Sequence, residues 1–227
     1  MLITDLTPKG KRQTVVWLDG APAGFLDNRD ISAYRLETDA EVDEATWMKI
    51  VNETILPRGK RKALELLQLQ DRTTKELHDK LVSGDYTEEQ TWEIIAYVAS
   101  FRYIDEHRYS VNYFRAHAKN KSFREMQQVL LMRGVEQETI TSAYEQFSRD
   151  AAAVPAGLSG TGSDSAQSES AEVQAVRTFV SRRVRGSSMT VDERRRIHAG
   201  LVRKGFSYDA IRSVLSEYPA EGPEEDE

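Results

Sequence analysis

The sequence predicts a mainly α protein. Three tandem three-helix, helix-turn-helix-like repeats stack into an elongated curved array, preceded by a small N-terminal segment that contains a β-hairpin. Three observations carry this expectation. Apolar anchors recur in register three times after residue 58, a Ser/Thr-x-x-Glu box precedes each set, and the strand-forming residues gather near the start of the chain.

The N-terminal segment, residues 1–57, reads as hairpin plus helix. Thr14 to Leu18 is β-branched and aromatic, and Asp19-Gly20 is a hairpin-turn dipeptide. The second strand is expected to be short, around Gly24 to Leu26, because Pro22 cannot serve in a central position. From Val42 to Leu56, Trp47, Ile50, Val51 and Ile55 fall on one helix face, and Pro57 is expected to stop that helix.

The repeats span 58–104, 105–149 and 171–218. Leu77, Met126 and Ile197 align, followed four residues later by Leu81, Leu130 and Leu201. Nine residues after the first anchors come Tyr86, Val135 and Phe206, each preceded by a turn residue: Asp85, Gly134 and Gly205. Ile94/Ile95, Ala143/Tyr144 and Val214/Leu215 follow, then Val98, Phe147 and Tyr218. Thr91 is the break in the pattern, where the other repeats have Ile140 and Ile211. Thr73-x-x-Glu76, Ser122-x-x-Glu125 and Thr190-x-x-Glu193 are capping boxes, each hydroxyl contributing about 1 kcal/mol to its helix. The third box lies three residues early, so its helix is expected to be one turn longer. Another helix precedes each box, around Arg61–Leu69, Asp105–Ala118 and Glu172–Val184.

The stretch FRYIDEHRYSVNYF, residues 101–114, is the junction between repeats one and two. Tyr103 and Ile104 close the first, Asp105 is the expected N-cap, and Glu106 places negative charge at the helix start. Tyr109, Tyr113 and Phe114 are expected in the core of the second. Residues 150–170 read as a flexible Ala/Ser/Gly linker and 219–227 as a disordered acidic tail.

Composition narrows the function classes. With no cysteine, thiol catalysis, thiolate metal sites and disulfides are excluded. No apolar run reaches the length of a membrane span, which makes a cytoplasmic protein without membrane contact the expectation. His107 and His117, the nearest pair of the four histidines, are ten residues apart and off a shared helix face, while His78 and His198 stand singly. HExxH, a phosphate-binding glycine loop and a nucleophile elbow are all missing. The reading is a non-enzyme with no cofactor and no metal, working as a monomer.

Charge is distributed unevenly. The chain carries a net −6, yet residues 171–218 hold ten basic against five acidic side chains, a balance of +5. Such a block points to an anionic partner. The candidate contact set is Arg182, Arg183, Arg185, Arg195, Arg196, Arg203 and Lys204. Arg115, Lys119, Lys121 and Arg124 form a secondary basic patch in repeat two. Arg194 shares the side of Ile197 and Leu201, so its stem is expected to lie over the core.

These residues resemble the RecX family, regulators of RecA recombinase. The resemblance rests on Tyr103-Ile104, Asp105-Glu106 and Tyr109-Ser110, on Lys119-Asn120-Lys121, and on Leu130, Gly134, Val135 and Ile140. Ala63-Leu64, Thr73, Glu76-Leu77 and Lys80-Leu81 extend it into repeat one. Arg102 departs from the family's usual Gly, Glu106 from a second Asp, Ser110 from Ala and Ser122 from Gly. The resemblance implies binding to RecA–single-stranded DNA filaments, bridging of neighbouring protomers, and restraint of filament growth, ATP hydrolysis and strand exchange. Two other readings stay open: direct, sequence-independent binding of single- or double-stranded DNA, and a helical scaffold for another acidic protein.

Overall fold

The computed structural model describes residues 1–153, 171–184, 186 and 188–221, which fall into two units, Met1–Glu106 and His107–Glu227. The fold is mainly helical, with a three-stranded sheet at the N-terminus.

In the first unit, strands β1 (Ile3–Lys9), β2 (Gln13–Leu18) and β3 (Ala21–Asp27) form an antiparallel meander in the order β1-β2-β3. β3 is longer than the expected Gly24–Leu26. Pro22 is accommodated because β3 is an edge strand and its register with β2 shifts between Val16 and Trp17, beside Pro22. β1 and helix α1 (Asn28–Tyr34) had no clear sequence signal. α2 (Glu44–Ile50) begins at Asp43, whose side chain accepts the Thr46 amide.

The expected stop at Pro57 does not occur. The backbone passes through a π-helical turn, Val51–Ile55, straight into α3 (Leu56–Leu69). The Leu56 N–H donates to the Val51 carbonyl, five residues back. A π-turn here admits a residue with no N–H near the start of the following helix, which is where proline is tolerated. The expected buried face is retained, with Trp47, Ile50, Val51 and Ile55 all buried.

The sheet shares one core with α3, α4 (Thr74–Val82) and α5 (Glu88–Ser100). Gln90 on α5 donates to the Ala23 carbonyl at 2.8 Å. Lys9 on β1 reaches the turn after α4, where its ammonium pairs with Asp85 and donates to the Gly84 carbonyl at 3.3 Å. Thr91, the break in the repeat pattern, is fully buried with its hydroxyl unpartnered among the described residues.

The second unit contains two further cores. α6 (Glu106–His117, its first residue in unit one), α7 (Phe123–Met132) and α8 (Gln137–Ala153) enclose Tyr109, Phe114, Met126, Leu130 and Ile140. α9 (Ala171–Ser181), α10 (Val191–Lys204) and α11 (Tyr208–Ser216) enclose Val176, Val180, Ile197, Leu201 and Val214. Each of α4, α7 and α10 starts with the expected capping box. α10 has 14 residues against nine in α4 and ten in α7, the extra turn predicted from the early box. The three turn residues all adopt positive φ: +69° at Asp85, +84° at Gly134 and +81° at Gly205. α8 runs to Ala153, past the expected linker start, and 154–170 lie outside the described residues. Ala220–Glu221 forms a short strand, β5, parallel to β4 (Met189–Thr190), so the expected tail begins as structure; 222–227 lie outside the described residues.

Arg102 stands at a position whose backbone favours glycine. It follows α5 with φ +57°, and the Tyr103 N–H donates to the Val98 carbonyl, closing a turn that favours glycine. Arg102→Gly is expected to stabilise the protein by about 1 kcal/mol, the left-handed penalty less the added unfolded-chain entropy. In a thermal scan Tm rises by about 2–4 °C. A lower Tm would overturn that account.

Candidate functional site

Charge, geometry and burial single out the surface where repeats two and three meet within the second unit. The meeting is built by the capping box of α7. Ser122 is fully buried, and its hydroxyl both accepts the Glu125 amide at 3.2 Å and donates to the Lys204 carbonyl at 2.5 Å. Glu125 accepts the Ser122 amide through one carboxylate oxygen at 3.1 Å and pairs with the Lys204 ammonium through the other at 2.6 Å. One Ser-x-x-Glu box therefore both starts α7 and receives the end of α10. Gly205 ends α10 in the left-handed conformation, and a Cβ there would stand 2.7 Å from Arg124 Cδ.

Between these helices lies a cleft of about 490 Å³, lined by Arg124, Arg183 and Arg203 and by the paired Glu125 and Lys204, with Gln128, Phe179 and Gly200 forming the rest of its wall. The Arg183 guanidinium lies over the Phe179 ring, 3.7 Å from its centroid, and also donates to the Phe179 carbonyl at 3.2 Å. Stacking holds the planar cation at the cleft wall while leaving its charge unpaired. Among the described residues Arg124, Arg183 and Arg203 have no carboxylate partner. Three such cations around one concavity present the paired donors that suit carboxylate and phosphate oxygens.

The structure divides the sequence-predicted set. It brings Arg183, Arg203 and Lys204 together with Arg124 of the secondary patch. Lys204, expected to be available for contact, is engaged by Glu125. Arg182 points to Asn120 at 3.4 Å. Arg195 lines a different groove, and Arg196 shares a shallow surface with His198, Val202 and Arg203. Glu193's carboxyl is held below its usual range by the Thr190 amide and then the Thr190 hydroxyl, with Arg196 adding to the effect. Arg185 lies outside the described residues. In repeat two, Arg115 pairs with Asp150 at 2.7 Å and Lys121 donates to the Tyr113 hydroxyl at 3.1 Å. Among the described residues Lys119 has no carboxylate partner, and it lies away from the cleft lining. Arg194, expected over the core, is half-buried and donates to the Tyr218 carbonyl at 3.3 Å.

The junction residues have mainly structural partners. Asp105 directly precedes α6, and Glu106 accepts the Thr74 amide at 2.9 Å, at the start of α4. Tyr109 is buried and its hydroxyl receives the Arg133 guanidinium. Ile104 packs against the first unit's core, whereas Tyr103 is 51% exposed. It forms an aromatic row with Phe101 and Tyr97.

Glu125 and Phe179 were missed from sequence, although the box containing Glu125 was visible. Its pairing with Lys204 spans 79 residues and leaves no local pattern. Burial lowers the His117 pKa, with Lys121 and Arg133 acting in the same direction. Among the described residues no group of three His, Asp or Glu is placed to hold a metal, and no helix is long and apolar enough to cross a membrane.

No family model matches the chain. Among curated proteins it is 26% identical over 208 residues to the regulatory protein RecX of Bacillus licheniformis, a match covering 89% of this chain and 71% of that protein. It is 23% identical over 218 residues to the regulatory protein RecX of Bacillus subtilis, covering 93% and 74%. Among solved structures, a crystal structure of regulatory protein RecX aligns with TM-score 0.57 at 20% identity, over 95% of this chain and 98% of that one. RecX from Lactobacillus salivarius aligns with TM-score 0.51 at 23% identity, over 71% and 95%.

Proposed function

We propose, from the premise that the chain belongs to the RecX family of non-enzymatic regulatory proteins, that it binds RecA filaments on single-stranded DNA in the cytoplasm and restrains their growth, ATP hydrolysis and strand exchange. The observation that carries the contact surface is the convergence of Arg124, Arg183 and Arg203 on the cleft between repeats two and three. These residues are 59 and 79 positions from Arg124 in sequence, yet they face one volume. A filament repeats its acidic and phosphate groups, so weak contacts at several repeats reinforce one another once the first has formed. Arg195, Arg196, Arg182 and Lys119 add peripheral positive charge outside the cleft.

The test is DNA-dependent ATP hydrolysis by RecA on single-stranded DNA, with this protein well below RecA stoichiometry. Wild type suppresses hydrolysis. The Arg124→Ala/Arg183→Ala/Arg203→Ala variant requires at least about 100-fold more protein for the same suppression, since each lost charged contact costs about 1.5 kcal/mol or more. Lys119→Ala serves as a surface-charge control and changes potency little. No suppression by folded wild-type protein at any ratio would overturn the proposal.

A second reading, direct DNA binding, is favoured by the separate groove bearing Arg195, Arg212, His198 and Tyr208. Neutralising about three phosphates, one for each of Arg194, Arg195 and Arg212, predicts a log–log salt slope of about −2 to −3 without RecA present. A flat salt response would remove this reading and leave the first intact.

A further inference from the structure

A concavity of about 870 Å³ lies in the first unit, beside the β1–β2 turn and the start of α1, and Lys9, Lys11, Arg12 and Arg29 line it. Residues 1–57 carry ten acidic against six basic side chains, yet four of those six basic residues gather here. Lys11, Arg12 and Arg29 are exposed and have no carboxylate partner among the described residues. Lys9 is paired with Asp85. Asp27, the acid in the lining, is engaged by Arg58 of α3 at 3.3 Å, which offsets its charge.

Local bonding holds these cations together. Gly10-Lys11-Arg12 joins β1 to β2, and Lys9 faces Gln13 across the end of the ladder. Asn28, the first residue of α1, clasps that turn. Its backbone N–H donates to the Arg12 carbonyl at 2.9 Å and its side-chain amide to the Lys11 carbonyl at 3.5 Å. Its side-chain oxygen accepts the Thr14 hydroxyl at 3.0 Å. The clasp sets Arg29, the next residue of α1, on the same concavity as the turn.

We propose that this concavity docks the phosphate backbone of duplex DNA. Gln13 and Asn28 complete a wall that is polar throughout, with no aromatic or aliphatic side chain among the described residues that line it. That composition selects among polyanions. A single strand exposes its bases, and proteins that hold it supply aromatic side chains for stacking, which this wall lacks. An acidic protein surface brings apolar area with its carboxylates, since more than half of an ordinary protein interface is non-polar. A duplex keeps its bases stacked inside and presents one charge per about 1.7 Å of its axis, so the three unpaired cations meet phosphates in any register. Such contacts hold the duplex without reading its sequence. The site belongs to the first unit, shares no residue with the arginines of repeats two and three, and does not rest on the RecA reading.

The test titrates the full chain, without RecA, with a short DNA duplex of random sequence. Backbone amides are read by NMR, and affinity by fluorescence anisotropy over a range of salt. Amide shifts are expected at Lys11, Arg12, Gln13, Asn28 and Arg29. Lys11→Ala/Arg12→Ala/Arg29→Ala is expected to abolish them, to weaken binding at least about tenfold, and to make the log–log salt slope shallower by about 2–3, for three lost phosphate contacts. Arg12→Lys/Arg29→Lys keeps the charges and is expected to keep the slope. Arg195→Ala/Arg212→Ala is expected to leave the hairpin shifts in place, so failure of the repeat-three groove and failure here are read separately. Three results each overturn the proposal: a duplex that leaves these amides unmoved, a triple variant with the wild-type slope, or a single strand or polyglutamate that moves them at lower concentration than the duplex.

Discussion

Gly59→Val is expected to destabilise the first unit by about 3 kcal/mol, at the upper end of ordinary overpacking costs. The reason is a close helix approach. A Cβ placed on Gly59 would lie 2.2 Å from Ile94 Cδ1, 2.9 Å from Ile94 Cγ1 and 3.0 Å from Tyr86 Cε1. Ile94 is fully buried, and Tyr86 is buried with its ring 5.0 Å from that of Phe25. Neither side chain has room to withdraw, because their other neighbours belong to the same close-packed core. Burial also raises the Tyr86 pKa to about 12, so the ring stays neutral throughout the ordinary pH range. Replacing glycine in a helix normally gains up to about 1 kcal/mol of propensity, which the clash must exceed. Hydrogen exchange locates the loss: protection falls in α3 and α5 while the Met126–Leu130 core of the second unit keeps its own. Gly59→Val combined with Ile94→Ala should cost less than the sum of the two single changes, because the truncated neighbour vacates the volume that valine enters. Strict additivity would show that Ile94 is not the obstacle.

Gly59 also shows where sequence reading ends. The repeat register, the three capping boxes, the longer third helix and the paired turns were legible because each is a local pattern, set by helix periodicity or by a hydroxyl and carboxylate three residues apart. Gly59 reads locally as an unfavourable residue in a helix; its purpose is the approach of α5, about 35 residues on. Pro57 reads as a stop, and only the preceding π-turn converts it into an acceptable first-turn residue. The same limit applies to the site. The excess of arginine in repeat three was visible, but charge counting treats Lys204 and Arg203 alike. Their difference comes from Glu125, which takes one and leaves the other. Arg212 gives no sequence signal because it stands singly in α11 and acquires neighbours only when that helix packs beside α10. Arg102 is the converse case: a departure visible in the motif, explained by a single backbone angle.

Gly205→Ala carries the second large effect, and it joins stability to function. The residue has φ +81°, so any side chain incurs the left-handed penalty of about 1–2 kcal/mol. Its Cβ would also meet Arg124 Cβ at 2.9 Å and Cδ at 2.7 Å. The first contact is close to backbone and cannot be relieved by rotating the arginine, so repeat three must shift against repeat two. That shift strains the Ser122 bond to the Lys204 carbonyl and the Glu125–Lys204 pair. The expected total is about 3 kcal/mol, the backbone penalty plus a modest overpacking cost. Asparagine tolerates the left-handed region better than alanine, so Gly205→Asn separates the two contributions. If backbone strain were the whole effect, Asn would restore most of the stability. If the Arg124 contact dominates, as the 2.9 Å approach indicates, Asn stays nearly as unstable as Ala. The functional consequence follows from the cleft's construction: Arg124 sits on one repeat, Arg183 and Arg203 on the other. Displacing one repeat separates the guanidinium groups without removing any of them. Gly205→Ala protein, assayed at a temperature where it remains folded, should therefore suppress RecA ATP hydrolysis at least tenfold less potently than wild type. Retained full potency in a folded, destabilised variant would mean that the arginines act singly, and that the cleft between the repeats is not the unit of recognition.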